Sequence, residues 1–174
     1  MKKLIVYGSH YGSTQRYAQK FAELTDLPVV SYKELPNPTE YDLIIHFGGL
    51  YAGGVLGLKK TLKAMGTHGK LIIVTVGLAD VTSKETQESI LKSLRTQVPE
   101  SVLKEGAIFH LRGAIDYSKL SFTHKTMMTL LYQKAKNLPE EKKSSDTKAF
   151  LETFNSHVDF VDFSSLAPIV KAIS

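Results

Sequence analysis

The chain has 174 residues, 43% of them hydrophobic and 22% charged, a composition that suits one compact domain over residues 1–174. It contains no Cys and no Trp, which excludes disulfide scaffolds, zinc ribbons and thiol nucleophiles and favours a reducing cytoplasm. The formal net charge of +5 permits an acidic partner, an anionic ligand or a membrane surface. The first apolar run ends at Tyr7, so we predict neither a signal peptide nor a membrane span.

The first stretch with a chemical signal is an apolar run followed by small residues. Leu4–Tyr7 has the continuous apolar character of a central parallel strand, which helices cover on both faces. Gly8–Thr14 then supplies glycines and hydroxyls, and a helical pattern begins at Thr14. Because free N–H groups and the helix dipole attract anions, this order predicts a phosphate cradle. An ordinary turn with Ser13 or Thr14 as the helix N-cap is the alternative.

Further apolar runs alternate with helical patterns along the chain, which predicts an α/β fold with a mostly parallel sheet. The segment from about residue 146 is predicted to be a C-terminal helical extension that packs on the sheet. The predicted strands cover residues 29–32, 42–47, 71–76 and 106–111, and the predicted helices cover 14–24, 56–64, 83–97 and 119–136.

Two more strands end in small residues, at Gly49–Gly53 and at Val76–Asp80. In a parallel sheet, ligands bind beyond the carboxyl ends of the strands, where the strand order reverses. Three small-residue loops at one edge therefore predict a flat or phosphorylated ligand lying across them. Asp80 has a second interpretation, as a carboxylate that caps the helix beginning near Ser83.

These motifs together resemble the flavodoxin family. The family's phosphate loop is, in pattern form, a hydroxyl, any residue, a hydroxyl, glycine, any residue and a hydroxyl. The stretch Ser9–Thr14 matches this pattern at Ser9, Gly12 and Thr14 and departs from it at Tyr11, where Ser or Thr is usual. With the loop around Tyr51 and the later segment Gly113–Leu120, the chain resembles the branch that includes menaquinone-dependent protoporphyrinogen oxidase.

The resemblance implies a flavodoxin-like three-layer α/β sandwich, with a parallel sheet in the strand order 2-1-3-4-5 and helices on both faces. It also implies FMN as the cofactor, at the switch between strands one and three. The implied FMN-binding residues lie in the three loops and are Ser9, His10, Tyr11, Gly12, Ser13, Thr14, Gly49, Leu50, Tyr51, Ala52, Gly53, Val76, Gly77, Leu78, Ala79 and Asp80.

Three functions stay open from the sequence. The first is an FMN-dependent oxidoreductase of the protoporphyrinogen-oxidase or quinone-linked type, acting on a small molecule. The second is an electron carrier for a protein redox partner, which the basic charge disfavours because docking on a basic reductase needs an acidic face. The third is a binding domain without the cofactor, which the departure at Tyr11 keeps open. Dispersed lysines without a recognised motif argue against nucleic acid.

Residues 119–143 mix apolar side chains such as Met127 and Leu131 with lysines such as Lys125 and Lys134. A core-facing helix with a solvated basic face is the commoner interpretation of this pattern. A helix lying weakly on a membrane surface is the alternative.

Several isolated polar residues have both a structural and a functional interpretation. His46 and His110 lie in predicted strands and are expected to be structural. His10 lies in the phosphate loop, where a role of its backbone is expected and a contact of its imidazolium with phosphate is the alternative. Arg112 and Tyr117 follow strand five, where a structural role is the commoner interpretation and contact with an acidic substrate or the flavin edge is the alternative. No catalytic triad and no metal-ligand spacing is legible, so hydrolysis and metal catalysis are not predicted.

Overall fold

A computed structural model describes residues 1–51 and 53–174 and shows an α/β sandwich around a mostly parallel sheet. The central strands form where the chain is continuously apolar, and Leu4, Ile5 and Val6 are fully buried. The strands are β1 (Lys3–Gly8), β2 (Val29–Ser31), β3 (Leu43–Tyr51), β4 (Gly54–Val55), β5 (Lys70–Gly77), β6 (Ala107–Arg112), β7 (Ala114–Asp116) and β8 (His157–Asp159).

The parallel strands follow the order β2-β1-β3-β5-β6, and β4 adds a short antiparallel pairing to β3. When only the five parallel strands are counted, this is the expected order 2-1-3-4-5, and the fold class is confirmed. In register, Gly8 lies beside Gly48, and Gly49 lies beside Val76. The loops after β1, β3 and β5 therefore open at the same edge of the sheet, and the strand order reverses between β1 and β3.

Helices cover both faces of this sheet. The helices are α1 (Ser13–Thr25), α2 (Leu58–Met65), α3 (Lys84–Arg95), α4 (Glu100–Glu105), α5 (Phe122–Lys136), α6 (Ser145–Thr153) and α7 (Ala167–Ile173). On one face Tyr17 and Phe21 of α1 pack with Ile169 of α7, and on the other Leu58 of α2 packs with Ile90 of α3. Nowhere in residues 1–51 and 53–174 does a helix combine the length and apolar character that a membrane crossing requires.

Between β6 and α7 the chain makes an excursion over the carboxyl edge of the sheet. β7 and β8 pair antiparallel, and α5 and α6 lie between them in the chain. We call α5 and α6 the roof helices. They pack around Tyr117, Met128 and Phe150. The segment from about residue 146 thus holds α6, β8 and α7, and α7 belongs to an outer layer of the sandwich, where it packs beside α1.

Candidate functional site

The phosphate loop, residues Gly8–Thr14, ends at a helix N-terminus that no described side chain caps. Gly12 is the N-cap, with φ of 92°, and the first turn of α1 carries no acidic residue. Ser9 stabilises the loop from within, since its Oγ accepts a hydrogen bond from the Gly12 N–H at 3.1 Å. Ser13 and Thr14 lie inside the helix and are not its caps, so the first N–H groups of α1 stay available to an anion.

A cavity of about 370 Å³ lies at this edge of the sheet, beside the N-terminus of α1. It brings together residues from all three loops predicted from the sequence. The predicted residues that line it are His10, Tyr11, Ser13 and Thr14 of the phosphate loop, Gly49, Leu50, Tyr51 and Gly53 of the second loop, and Val76, Gly77 and Leu78 of the third loop.

Four other predicted site residues that the structure describes do not line the cavity. Ser9 and Gly12 shape the phosphate loop, and Ala79 is buried. Asp80 is exposed and accepts hydrogen bonds from the Thr82 N–H and hydroxyl at 2.9 and 2.8 Å, which lower the pKa of its carboxyl. Asp80 therefore belongs to the turn before α3 and does not cap that helix, whose N-terminus has no capping hydrogen bond from a described side chain. Ala52 lies outside the described residues.

Two tyrosines of the loops hold the roof helix α5 above the cavity. The Tyr11 hydroxyl donates to Met128 Sδ at 2.9 Å, and the Tyr51 hydroxyl donates to Met127 Sδ at 3.0 Å. Burial raises the pKa of Tyr11 to about 12, so its hydroxyl keeps its proton at neutral pH. The departure of Tyr11 from the family's loop pattern therefore has a structural reason, because this side chain contacts the roof.

The roof helices supply a second wall that the sequence motifs did not predict. α5 and α6 contribute an apolar surface, with Lys134 and Asp146 as its charged residues. The helical spacing of apolar residues in α5 was visible in the sequence, but nothing in it indicated which surface that face covers. The apolar residues of the roof helices that line the cavity are Met128, Leu131, Ala135 and Phe150, and Leu138, just after α5, lines it as well.

His10 lies at the mouth of the cavity among other rings. Its centroid is 4.5 Å from that of Tyr51 and 6.3 Å from that of His124. Burial, followed by the charges of His124 and Lys33, lowers the pKa of His10. The imidazole is therefore mostly neutral at pH 7.

Arg112 holds the third loop in place. Its Nε and Nη2 donate to the Leu78 carbonyl at 3.3 and 2.9 Å, and its guanidinium carbon lies 3.7 Å from the centroid of the Phe160 ring. Tyr117 is buried against Phe154, and within the described residues its hydroxyl has no hydrogen-bond partner. Neither side chain lines the cavity.

The two strand histidines have structural hydrogen bonds, as expected. His110 Nδ1 lies 2.7 Å from the Thr75 hydroxyl, and burial lowers its pKa. His46 is fully buried, with its ring nitrogens 3.0 Å from the Leu56 carbonyl oxygen and 3.1 Å from the Thr61 hydroxyl.

The parallel sheet has its cavity where the strand order reverses, beside an uncapped helix N-terminus. This arrangement defines a doubly wound α/β protein. The family model of the flavodoxin domain matches residues 4–142. The chain therefore belongs to the flavodoxin domain family. No curated protein matches it.

Solved structures of flavoproteins are similar to the chain at low identity. A flavoprotein from Lactobacillus acidophilus NCFM, in complex with FMN, is 15% identical over 64% of this chain and 91% of that one, with a TM-score of 0.45. A cysteine-to-alanine mutant of flavodoxin from Pseudomonas aeruginosa is 18% identical over 75% and 93%, with a TM-score of 0.44. Oxidised flavodoxin 2 from Bacillus cereus is 18% identical over 88% and 100%, with a TM-score of 0.36.

Proposed function

We propose that the chain is a flavoprotein that binds FMN at the carboxyl edge of its sheet. The uncapped N-terminus of α1, which adjoins the cavity at Ser13 and Thr14, carries this proposal. Its N–H groups and these two hydroxyls suit a phosphate dianion. The second and third loops, around Tyr51 and Leu78, offer an aromatic and small-residue slot for a flat ring. Bound FMN would supply electron-transfer chemistry.

We further propose that the protein is an oxidoreductase for a small molecule, of the protoporphyrinogen-oxidase or quinone-linked type. The roof helices support this, because Met128, Leu131 and Phe150 extend the apolar cavity beyond the loops and limit the access of water. Arg112 fixes the Leu78 carbonyl, so the third loop is positioned before a ligand arrives. A carrier of electrons between proteins would need an exposed ring edge, which these helices disfavour.

FMN binding is expected to be stoichiometric and to quench flavin fluorescence. Titration of the purified protein, together with its visible absorption spectrum, measures this directly. Riboflavin, which lacks the phosphate, is expected to bind at least about tenfold more weakly, since it loses charge-assisted hydrogen bonds to the helix N-terminus. A protein that binds neither flavin would contradict the proposal and would favour the domain without a cofactor.

Thr14→Val tests the phosphate site with little change of shape. We expect FMN affinity to fall about tenfold, because one hydrogen bond to a charged group is lost, while riboflavin affinity stays the same. Thr86→Val is the matched control, since Thr86 is an equally buried threonine in the first turn of α3 and does not line the cavity. Equal losses of FMN affinity in the two variants would place the phosphate elsewhere.

The choice between enzyme and carrier depends on what reoxidises the reduced protein. If the enzyme proposal is correct, a soluble quinone added to the chemically reduced, FMN-loaded protein restores the absorption of oxidised flavin within seconds under anaerobic conditions. The single variants Met128→Ala and Phe150→Ala should slow this reoxidation. Reoxidation by a haem protein but not by the quinone would support the carrier.

Side-chain exposure supports a weak association with an anionic membrane surface as well. On α5, Phe122 is 86% exposed and Leu130 67% exposed, and the helix contains lysines but no acidic residue. We expect the protein to sediment with phosphatidylserine vesicles at low salt, and Phe122→Ser with Leu130→Ser to weaken this about tenfold or more. Leu24→Ser, at a 52% exposed leucine of α1, is the control and should have no effect. Binding that survives the double variant would exclude this surface.

A further inference from the structure

Asp146 places a carboxyl in the wall of the cavity, against the third loop. It is the second residue of α6, whose N-terminus is capped by Ser144, and it lines the cavity. Its Oδ1 lies 2.9 Å from the position that a Cβ on Gly77 would occupy. The roof helix and the loop after β5 therefore meet at this carboxyl, and the missing side chain of Gly77 gives it the room.

No described cation forms an ion pair with this carboxyl. The neighbouring Lys148 pairs with Glu85 of α3 at 3.4 Å, and the Arg112 guanidinium donates to the Leu78 carbonyl. Burial raises the pKa of Asp146 to about 6, and the Leu78 N–H opposes this shift by favouring the carboxylate. Near neutral pH the side chain is therefore present both as an acid with an O–H donor and as a carboxylate.

We infer that Asp146 makes flavin binding proton-linked, by donating a hydrogen bond in its acid form to an acceptor atom on the edge of the bound ring. The inference rests on the proposed FMN site. A flat ring over the cavity removes water from the carboxyl, which disfavours the carboxylate. The rim of an isoalloxazine carries carbonyl oxygens and ring nitrogens, which accept hydrogen bonds from an acid but not from a carboxylate. Binding then favours the acid form, and affinity falls as pH rises.

Other groups around the cavity titrate or carry charge, and the probe must separate them from Asp146. Protonated His10 would favour a phosphate at low pH, whereas the phosphate of FMN itself gains its second negative charge near pH 6. Riboflavin has no phosphate and removes both effects. Other charged groups near the third loop and roof include Asp80, Arg112, Lys134 and the pairs Glu85–Lys148 and Glu140–Lys143.

The experiment measures the dissociation constant of riboflavin by fluorescence quenching between pH 5 and pH 8, with FMN as a second probe. For the unmodified protein, the riboflavin dissociation constant should rise at least about fivefold between pH 5.5 and pH 7.5. The steepest slope, at the upper end of this range, should approach tenfold per pH unit, as expected for one proton. Asp146→Asn keeps an N–H donor without titrating, so its dissociation constant should vary less than about twofold. Asp80→Asn changes a carboxylate of the third loop that lies outside the cavity, and this variant should behave like the unmodified protein. Calorimetry in two buffers should also show proton uptake on binding, which Asp146→Asn removes.

Two results overturn the inference while the FMN proposal stands. One is a riboflavin affinity that does not depend on pH in the unmodified protein, and the other is the same pH profile in Asp146→Asn. If neither FMN nor riboflavin binds at any pH, the proposed function fails, and the inference fails with it. Circular dichroism and the melting temperature of Asp146→Asn establish that it is folded at each pH.

Discussion

Gly8→Ala is expected to destabilise the protein by about 3 kcal/mol or more and to abolish FMN binding. A Cβ on Gly8 would lie 2.2 Å from the Leu56 carbonyl oxygen and 2.8 Å from its carbon. These are backbone atoms, and Leu56 is held on both sides. Its N–H donates to the Gly49 carbonyl at 3.0 Å, and its own carbonyl accepts from His46 Nε2. Relief of the clash therefore moves the phosphate loop or breaks these bonds.

Urea unfolding and FMN titration of the variant measure the two effects. Gly66→Ala is the control, because Gly66 has a φ of 60° but, among the described residues other than its own chain neighbours and helix backbone, no atom lies within 4 Å of the place that a Cβ would take. That substitution should cost about 1 to 3 kcal/mol from backbone strain and leave FMN affinity unchanged. Gly8 has no positive φ, so a loss of stability in Gly8→Ala no larger than that in Gly66→Ala would mean that Leu56 moves away from the new Cβ at little cost.

The sheet and its three loops were predictable because local pattern decides them. Buried parallel strands such as Leu71–Val76 are apolar at nearly every position, and a small-residue turn follows each strand of the site. The strand order came from the resemblance to flavodoxins, since a period of two along a strand does not say which strand lies beside it. The strands β7 and β8 have three residues each, too few for a pattern.

The roof of the cavity was not predictable, because it depends on contacts between distant parts of the chain. Tyr11 meets Met128 across 117 residues, and Tyr51 meets Met127 across 76. From the sequence, Tyr11 was only a departure from a loop pattern. Asp146 follows a polar run and resembles an exposed residue at a helix start. Its place in the cavity wall becomes visible only when α6 lies against Gly77.

The titration of His46 alone is expected to lower the free energy of unfolding by about 3 kcal/mol between pH 6.5 and pH 4. The ring is fully buried, and Nε2 must carry the hydrogen because its partner, the Leu56 carbonyl oxygen, only accepts. Nδ1 then accepts from the Thr61 hydroxyl. Burial lowers the pKa of His46 to about 4, and the bond to Leu56 opposes this only in part.

The sign follows from proton binding. An unfolded histidine has a pKa near 6.5, so between pH 6.5 and about 4 the unfolded chain binds a proton that the folded protein excludes. Stability therefore falls as pH falls through this window. Asp146 acts in the opposite direction, since its folded pKa of about 6 exceeds the ordinary value of 3.8, and lowering the pH towards 4 favours the folded state. In the unmodified protein the two effects partly cancel.

Asp146→Asn removes this compensation and exposes the effect of His46. Urea unfolding of that variant should show a loss of about 2 to 3 kcal/mol between pH 7 and pH 4.5. In the double variant with His46→Gln, whose amide keeps a donor for the Leu56 carbonyl, most of this loss should disappear. His10 and His110 also have lowered pKa values, but both variants contain them, so the difference between the variants isolates His46. An equal loss in the two variants would show that His46 accepts a proton in the core as readily as in the unfolded chain, and that another group causes the loss. The hydrogen bond that holds Leu56 against Gly8 would then tolerate the imidazolium.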